Sequence, residues 1–147
     1  MFAWLELRTY CHATEDQEKV VKALAFICPQ ANLRVAKVEG HNRNPILVMT
    51  ARADSPRAIK DFWRLMRQES LIGKILGNGR KMMDDNGILH IRLGKQEAYQ
   101  GRAILSERED VISARLKVVK YAPSKQDAFD TVRETIEELT KIDVSHT

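Results

Sequence analysis

Glu39-Gly40-His41-Asn42-Arg43-Asn44-Pro45 stands between two short apolar runs, Leu33 to Val38 and Ile46 to Ala51, both rich in β-branched and large aliphatic residues. Gly, Asn and Pro between such runs predict a turn joining two strands. The connection is longer than a tight hairpin needs, and it carries hydrogen-bonding chemistry. His41 and Arg43 donate to anions, Asn42 and Asn44 both donate and accept, and Gly40 permits close backbone approach. Two roles are open to the loop: left-handed turn asparagines beside a solvated histidine, or a contact surface.

On the N-terminal side, Ala3 to Thr9 alternates with period two, which predicts a strand buried on one side. Trp4 and Tyr10 on one face and Leu5 and Leu7 on the other leave the inward face open. Thr14 followed by Glu15, Asp16 and Gln17 reads as a helix start, with Thr14 as cap and Gln17 completing a capping box. Val20, Val21, Leu24, Ile27 and Cys28 recur at helical spacing up to Pro29.

On the C-terminal side, Ser55-Pro56 predicts a capped helix from about Pro56 to Gln68. Ile59, Phe62, Trp63 and Met66 form its apolar stripe, and Arg57, Lys60, Arg64 and Arg67 form a separate cationic one. That second stripe is either a solvated face or a polyanion contact. Ser70 to Met83 has helical apolar spacing, but Gly73, Gly77 and Gly79 each weaken a helix by about 1 kcal/mol relative to alanine, so Gly77 to Lys81 is open to being a basic loop. Ile88 to Leu93 predicts a strand with Leu89, Ile91 and Leu93 inward. Lys95 to Gly101 reads as a polar connector too short for an independent helix, with Tyr99 either plugging the core edge or stacking on a base. A short strand, Ala103 to Leu105, and a long one, Val111 to Val119, precede a closing helix capped by Ser124 and running from Lys125 to about Ile142. Ala128, Phe129, Val132, Ile136 and Leu139 form its buried side.

This order predicts one α+β domain over residues 1–147, a mostly antiparallel sheet with helices packed on one face. The other face would present Arg8, Arg92, Arg115 and Lys117.

At 147 residues with 44% hydrophobic and 30% charged side chains, the chain has the composition of an ordinary globular domain. No apolar run approaches the roughly 20 residues of a membrane helix, and the acid at Glu6 comes too early for a secretory leader. Cys11 and Cys28 match neither a disulfide framework nor a zinc motif, so free thiols in the cytoplasm are the expectation. The net charge of +4 is unevenly spread. Residues 34–102 hold 14 Lys and Arg against 7 Asp and Glu, while both flanking segments carry a small acidic excess. A basic middle suits a surface that meets a polyanion.

Three stretches in register, His12 to Asp16, Glu39 to Ile46 and Lys95 to Gly101, resemble the archaeal RNA-binding proteins described as predicted exosome subunits. The resemblance covers residues from about 2 to 120. It implies a ribosomal protein L5-like fold, RNA binding without catalysis, and association with RNA-processing machinery such as the exosome or with ribosomal components. Two departures stand out: Arg43 occupies a position where the family usually has glycine, and Gly73 to Gly79 replaces a strongly charged helix.

Three functions follow as expectations. In the first, a non-catalytic module binds RNA, with phosphate contacts from Arg43, Arg57, Lys60, Arg64, Arg67 and Lys95, and with base contacts from His41, Asn42, Asn44 and Tyr99. In the second, the chain is a protein-interaction subunit of a ribonucleoprotein complex. In the third, His12, His41 and His90 serve a phosphoesterase together with Glu15, Glu39 and Asp84, although their spacing matches no catalytic motif. Neither a metal nor any other cofactor is expected.

Overall fold

A computed structural model of the chain describes residues 2–39, 44–119 and 125–144. The elements run β1 (Phe2–Cys11), α1 (Gln17–Ile27), β2 (Asn32–Glu39), β3 (Pro45–Ala53), α2 (Pro56–Gln68), α3 (Ile72–Met82), β4 (Ile88–Gly94), α4 (Lys95–Tyr99), β5 (Val111–Val118) and α5 (Lys125–Val144). The strands form one sheet in the order β2-β3-β1-β5-β4, with every neighbouring pair antiparallel. The α+β architecture expected from the sequence is the one observed. Among the described residues, no helix is long and apolar enough to cross a membrane.

Alternation decides which side of the sheet is covered. On β1, Leu5, Leu7, Thr9 and Cys11 are buried, while Arg8 and Tyr10 are exposed and Trp4 and Glu6 are intermediate. An irregularity between Phe2 and Trp4 slips the register, so Phe2 joins the buried set although strict alternation would have put Ala3 there. Thr9 is the polar residue on that inward face, and its hydroxyl donates to the Val111 carbonyl at 2.9 Å. The helices pack on this side. Trp63 of α2 is fully buried between Phe62 and Phe2, at ring-centroid distances of 5.2 and 5.4 Å. Ile59, Phe62, Trp63 and Met66 are all buried, as the stripe predicts. Each such side chain contributes about 1.5–3 kcal/mol on burial.

Several local expectations are corrected. The cap of α1 is Asp16, whose carboxylate accepts from the Glu18 N–H at 3.0 Å, so the helix starts two residues beyond Thr14. Residues 72–82 form a helix despite their glycines, because Ile75 is buried and Gly79 lets the Phe129 ring of α5 lie directly on the backbone. Helix α2 ends with Ser70 in the left-handed region at φ 60°, with Leu71 N–H bonded to the Met66 carbonyl at 2.8 Å and Ser70 N–H to the Arg67 carbonyl at 2.9 Å. That is a Schellman ending with serine where glycine is usual, and it turns the chain into α3. Lys95–Tyr99 is a one-turn helix, held at its far end by Gly101 at φ 83°. Ala103 to Leu105 is not a strand: it contributes one bridge, Leu105 to Leu93. The expected helix cap Ser124 lies outside the described residues, as does the side chain of Ala128.

Candidate nucleic-acid interface

The uncovered side of the sheet is built by the other half of each alternation. The pairing register lines its residues into rows that cross all five strands. One row runs Arg34, Thr50, Arg8, Ser113, Arg92, from β2 through β3, β1 and β5 to β4. Beside it runs Asn32, Arg52, Glu6, Arg115, His90. Beyond that, Trp4 lies against Lys117, and on the opposite flank Tyr10 lies against Val48. Strands about 4.8 Å apart make a five-residue row about 19 Å long.

The two long rows differ in how their charges are used. In the Glu6 row, Arg115 pairs with Glu6 at 3.3 Å, and Arg52 pairs with Asp54 at 3.1 Å. Both guanidinium groups also lie over the Trp4 ring, Arg52 at 4.7 Å and Arg115 at 5.9 Å from the centroid. In the Arg34 row, no carboxylate lies within ion-pair distance of Arg34, Arg8 or Arg92 among the described residues. Arg8 lies 6.0 Å from the Tyr10 ring, and Arg92 donates to the Arg108 carbonyl. Three exposed arginines spaced by two hydroxyl residues, flanked by Trp4 and a 45%-exposed Tyr10, form a flat cationic and aromatic face. Guanidinium groups without a carboxylate partner among the described residues suit phosphates, and exposed aromatic rings suit unpaired bases.

The residues expected from sequence to form the interface are placed as follows. His41, Asn42 and Arg43 lie outside the described residues, and Asn44 is exposed just before β3. The α2 cations belong to the helical layer, behind the sheet. Arg57 is exposed and Lys60 half-exposed; Arg64 pairs with Asp61 at 3.6 Å, and Arg67 donates to the Thr140 carbonyl of α5 at 2.8 Å. Lys95 is 3% exposed, and its ammonium meets the Tyr10 carbonyl at 3.0 Å, Glu15 at 2.9 Å and Asp110 at 2.7 Å. Those three acceptors use its three donors, which leaves none for a phosphate. Tyr99 packs against the core with the ammonium groups of Lys19 and Lys22 at 5.4 and 5.3 Å from its ring. The sheet-face residues Arg34 and Arg52 were not singled out from sequence; the register of the β2–β3 pair would have placed them.

The possible acid–base groups are dispersed. His12 lies 3.9 Å from Glu15 and 3.7 Å from Asp110, a triad able in principle to hold a metal, but both carboxylates already bind the Lys95 ammonium. His90 pairs with Asp84 at 2.8 Å, and this bond holds the Asp84 carboxyl below its ordinary value of 3.8. Burial pushes both thiols, Cys11 and Cys28, above the usual range, and both are unbridged.

The chain is 35% identical over 144 residues to an RNA-binding protein of Pyrococcus abyssi, covering 90% of this chain and 92% of that one. A solved structure from Archaeoglobus fulgidus superposes with a TM-score of 0.82 at 29% identity, covering 91% of this chain and 99% of that one. One from Methanothermobacter thermautotrophicus superposes with a TM-score of 0.80 at 29% identity, covering 93% and 99%. The family model described as RNA binding matches residues 4–118, and the chain therefore belongs to that RNA-binding family.

Proposed function

We propose that this protein binds single-stranded RNA on the open face of its sheet and carries out no chemistry on it. The observation that carries the reading is the row Arg34, Thr50, Arg8, Ser113, Arg92, whose arginines have no carboxylate partner among the described residues and which lies between Trp4 and Tyr10. Phosphate contacts to those arginines supply affinity, and stacking on the aromatic rings holds unpaired bases. Duplex RNA, whose bases are already stacked, gains only the first of these. His41, Asn42, Arg43 and Asn44, which separate β2 from β3 in the sequence, are included as RNA contacts in this reading; Arg57 and Lys60 of α2 make at most peripheral contacts. The reading includes a cytoplasmic location, a ribosomal protein L5-like fold, and association with RNA-processing machinery such as the exosome.

Fluorescence anisotropy with a labelled single-stranded oligonucleotide tests it. Arg8→Ala with Arg34→Ala is expected to weaken binding at least tenfold, and Arg57→Ala with Lys60→Ala to leave it within about twofold. No binding of the unmodified protein at low salt would end the proposal.

One observation favours a protein-interaction role beside RNA binding. Strand β2 is exposed along all eight residues and leaves Leu33, Val35 and Val38 over 40% accessible at the sheet edge. An open edge of this kind accepts another strand. A partner protein that stays bound after nuclease treatment, and is lost on Val35→Lys, is the expected sign.

A further inference from the structure

Strand β2 ends the sheet, and its outer side meets no further strand among the described residues. The ladder fixes which backbone groups face that side. Val118 N–H donates to the Gly87 carbonyl at 2.9 Å, so the even residues of β5 bond to β4 and the odd ones to β1. Carried through the registers of β1 and β3, this alternation turns the even residues of β2 toward β3. The N–H and C=O groups of Leu33, Val35, Lys37 and Glu39 are left directed outward. The side chains of these four lie on the helix side of the sheet, and those of Arg34, Ala36 and Val38 on the open face. Leu33, Val35 and Val38 are 42, 43 and 42% exposed.

This strand is complementary to itself. Laid antiparallel to a second copy about a two-fold axis through Ala36, perpendicular to the sheet, it sets Leu33 opposite Glu39 and Val35 opposite Lys37. On the open face Arg34 stands opposite Val38, and Ala36 opposite its own copy. Each exposed apolar side chain therefore meets a charged one whose aliphatic stem covers it, and no charge stands directly opposite a like charge. An axis at Arg34 or at Lys37 would oppose two cations, and one at Val35 would carry Glu39 past the end of the facing strand. The Ala36 register forms about eight ladder hydrogen bonds, two from each outward pair, against the ten or so of a typical stable interface.

We infer that β2 pairs with β2 of a second copy of this chain in the Ala36 register, joining two five-stranded sheets into one. This rests on the protein-interaction reading of β2 above and names its partner. The two-fold axis keeps the open faces on the same side, so they continue across the junction. The two copies of Arg34 stand four residues apart along the strand direction, about 13 Å, and the two arginine rows run side by side. Pairing also closes the one long edge of the sheet that neither a bridge nor a helix covers among the described residues.

The test is sedimentation equilibrium of the nuclease-treated full chain over a range of concentrations, where a monomer–dimer equilibrium is expected. Val35→Lys sets two lysines against Lys37 of the facing copy and should weaken the dimer about tenfold. Adding Lys37→Val restores an apolar–charged pair at both places and should recover the dimer. Val35→Pro removes an outward N–H, leaves the bonds to β3, and should abolish dimerisation with the circular dichroism spectrum unchanged. Ala36→Cys brings two thiols together across a non-hydrogen-bonded pair with Cα atoms about 4.5 Å apart, within disulfide reach. It should form a cross-linked dimer on mild oxidation, whereas Asn32→Cys, about 26 Å from its copy, should not. The native thiols Cys11 and Cys28 are buried. A dimer indifferent to the Val35 substitutions, or equal cross-linking at Asn32, overturns the proposal. A monomer that still holds a different nuclease-resistant protein, lost on Val35→Lys, overturns the second copy alone. A monomer with no such partner overturns the protein-interaction reading as well.

Discussion

The guanidinium of Arg52 lies 4.7 Å from the centre of the Trp4 ring on the uncovered face of the sheet, while the other tryptophan, Trp63, is fully buried behind it. The two indoles therefore report on opposite sides of one sheet. RNA that recruits Arg52 to a phosphate, or stacks a base on Trp4, must change the emission of Trp4 and leave Trp63 untouched. Titration with single-stranded RNA is expected to quench part of the tryptophan fluorescence. Trp4→Phe should remove that signal, and Trp4→Ala should weaken binding by about 1–3 kcal/mol, the worth of one stacked base.

Lys95 belongs to the fold rather than to the interface. Removing its ammonium leaves Glu15, Asp110 and the Tyr10 carbonyl without their shared donor. Stripping one partner from a fully buried ion pair costs about 3–5 kcal/mol; Asp110 is 45% exposed and takes up water, so Lys95→Ala is expected to cost about 2 kcal/mol in urea unfolding. Its RNA affinity, measured where the variant is folded, should match that of the unmodified protein.

Helix α3 offers a contrast within 7 residues. A methyl added at Gly79 would sit 2.1 Å from the Phe129 ring, whereas one added at Gly73 or Gly77 meets nothing within 4 Å. Gly73→Ala and Gly77→Ala are each expected to raise stability by about 0.8–1 kcal/mol through helix propensity. Gly79→Ala should lower it by about 1–3 kcal/mol, because α5 must shift to admit the methyl. Chemical denaturation of the three variants decides the matter.

Asp84 gives the fold an acid-sensitive point. The hydrogen bond from His90 holds its carboxyl below the ordinary value of 3.8, with further help from the Ile88 and Asn86 N–H groups. A carboxyl depressed in the folded state binds its proton more readily when unfolded. Its stabilisation is therefore complete above 3.8 and is lost as pH falls through that value and below. Asp84→Asn keeps an acceptor for the turn and removes the titration. The difference in Tm between the two proteins should narrow as pH is lowered from 6 to 3.

How much of this was legible in the sequence depends on how far each partner lies along the chain. Helix α2 was readable because Ser55, Pro56 and two stripes all lie within a few turns. The outward positions of Arg92, Arg115 and Lys117 were readable because alternation is local. The burial of Lys95 was not, since its acceptors stand 80, 85 and 15 positions away. Helix α3 was obscured for the same reason: glycine propensity argues against it locally, and the compensating Phe129 contact comes from α5. The inward face of β1 stayed open because both alternations carry large apolar residues, and the helical layer that buries Leu5 and Leu7 settles it.

The salt dependence of RNA affinity tests the central claim most directly. Each phosphate neutralised on a single strand contributes about −0.7 to the slope of log K against log salt. If the arginine row is the track, Arg8→Ala, Arg34→Ala and Arg92→Ala should each flatten that slope by about 0.7, while Arg57→Ala and Lys60→Ala on α2 leave it unchanged. A slope that is insensitive to the sheet arginines and falls with the α2 substitutions would contradict the account.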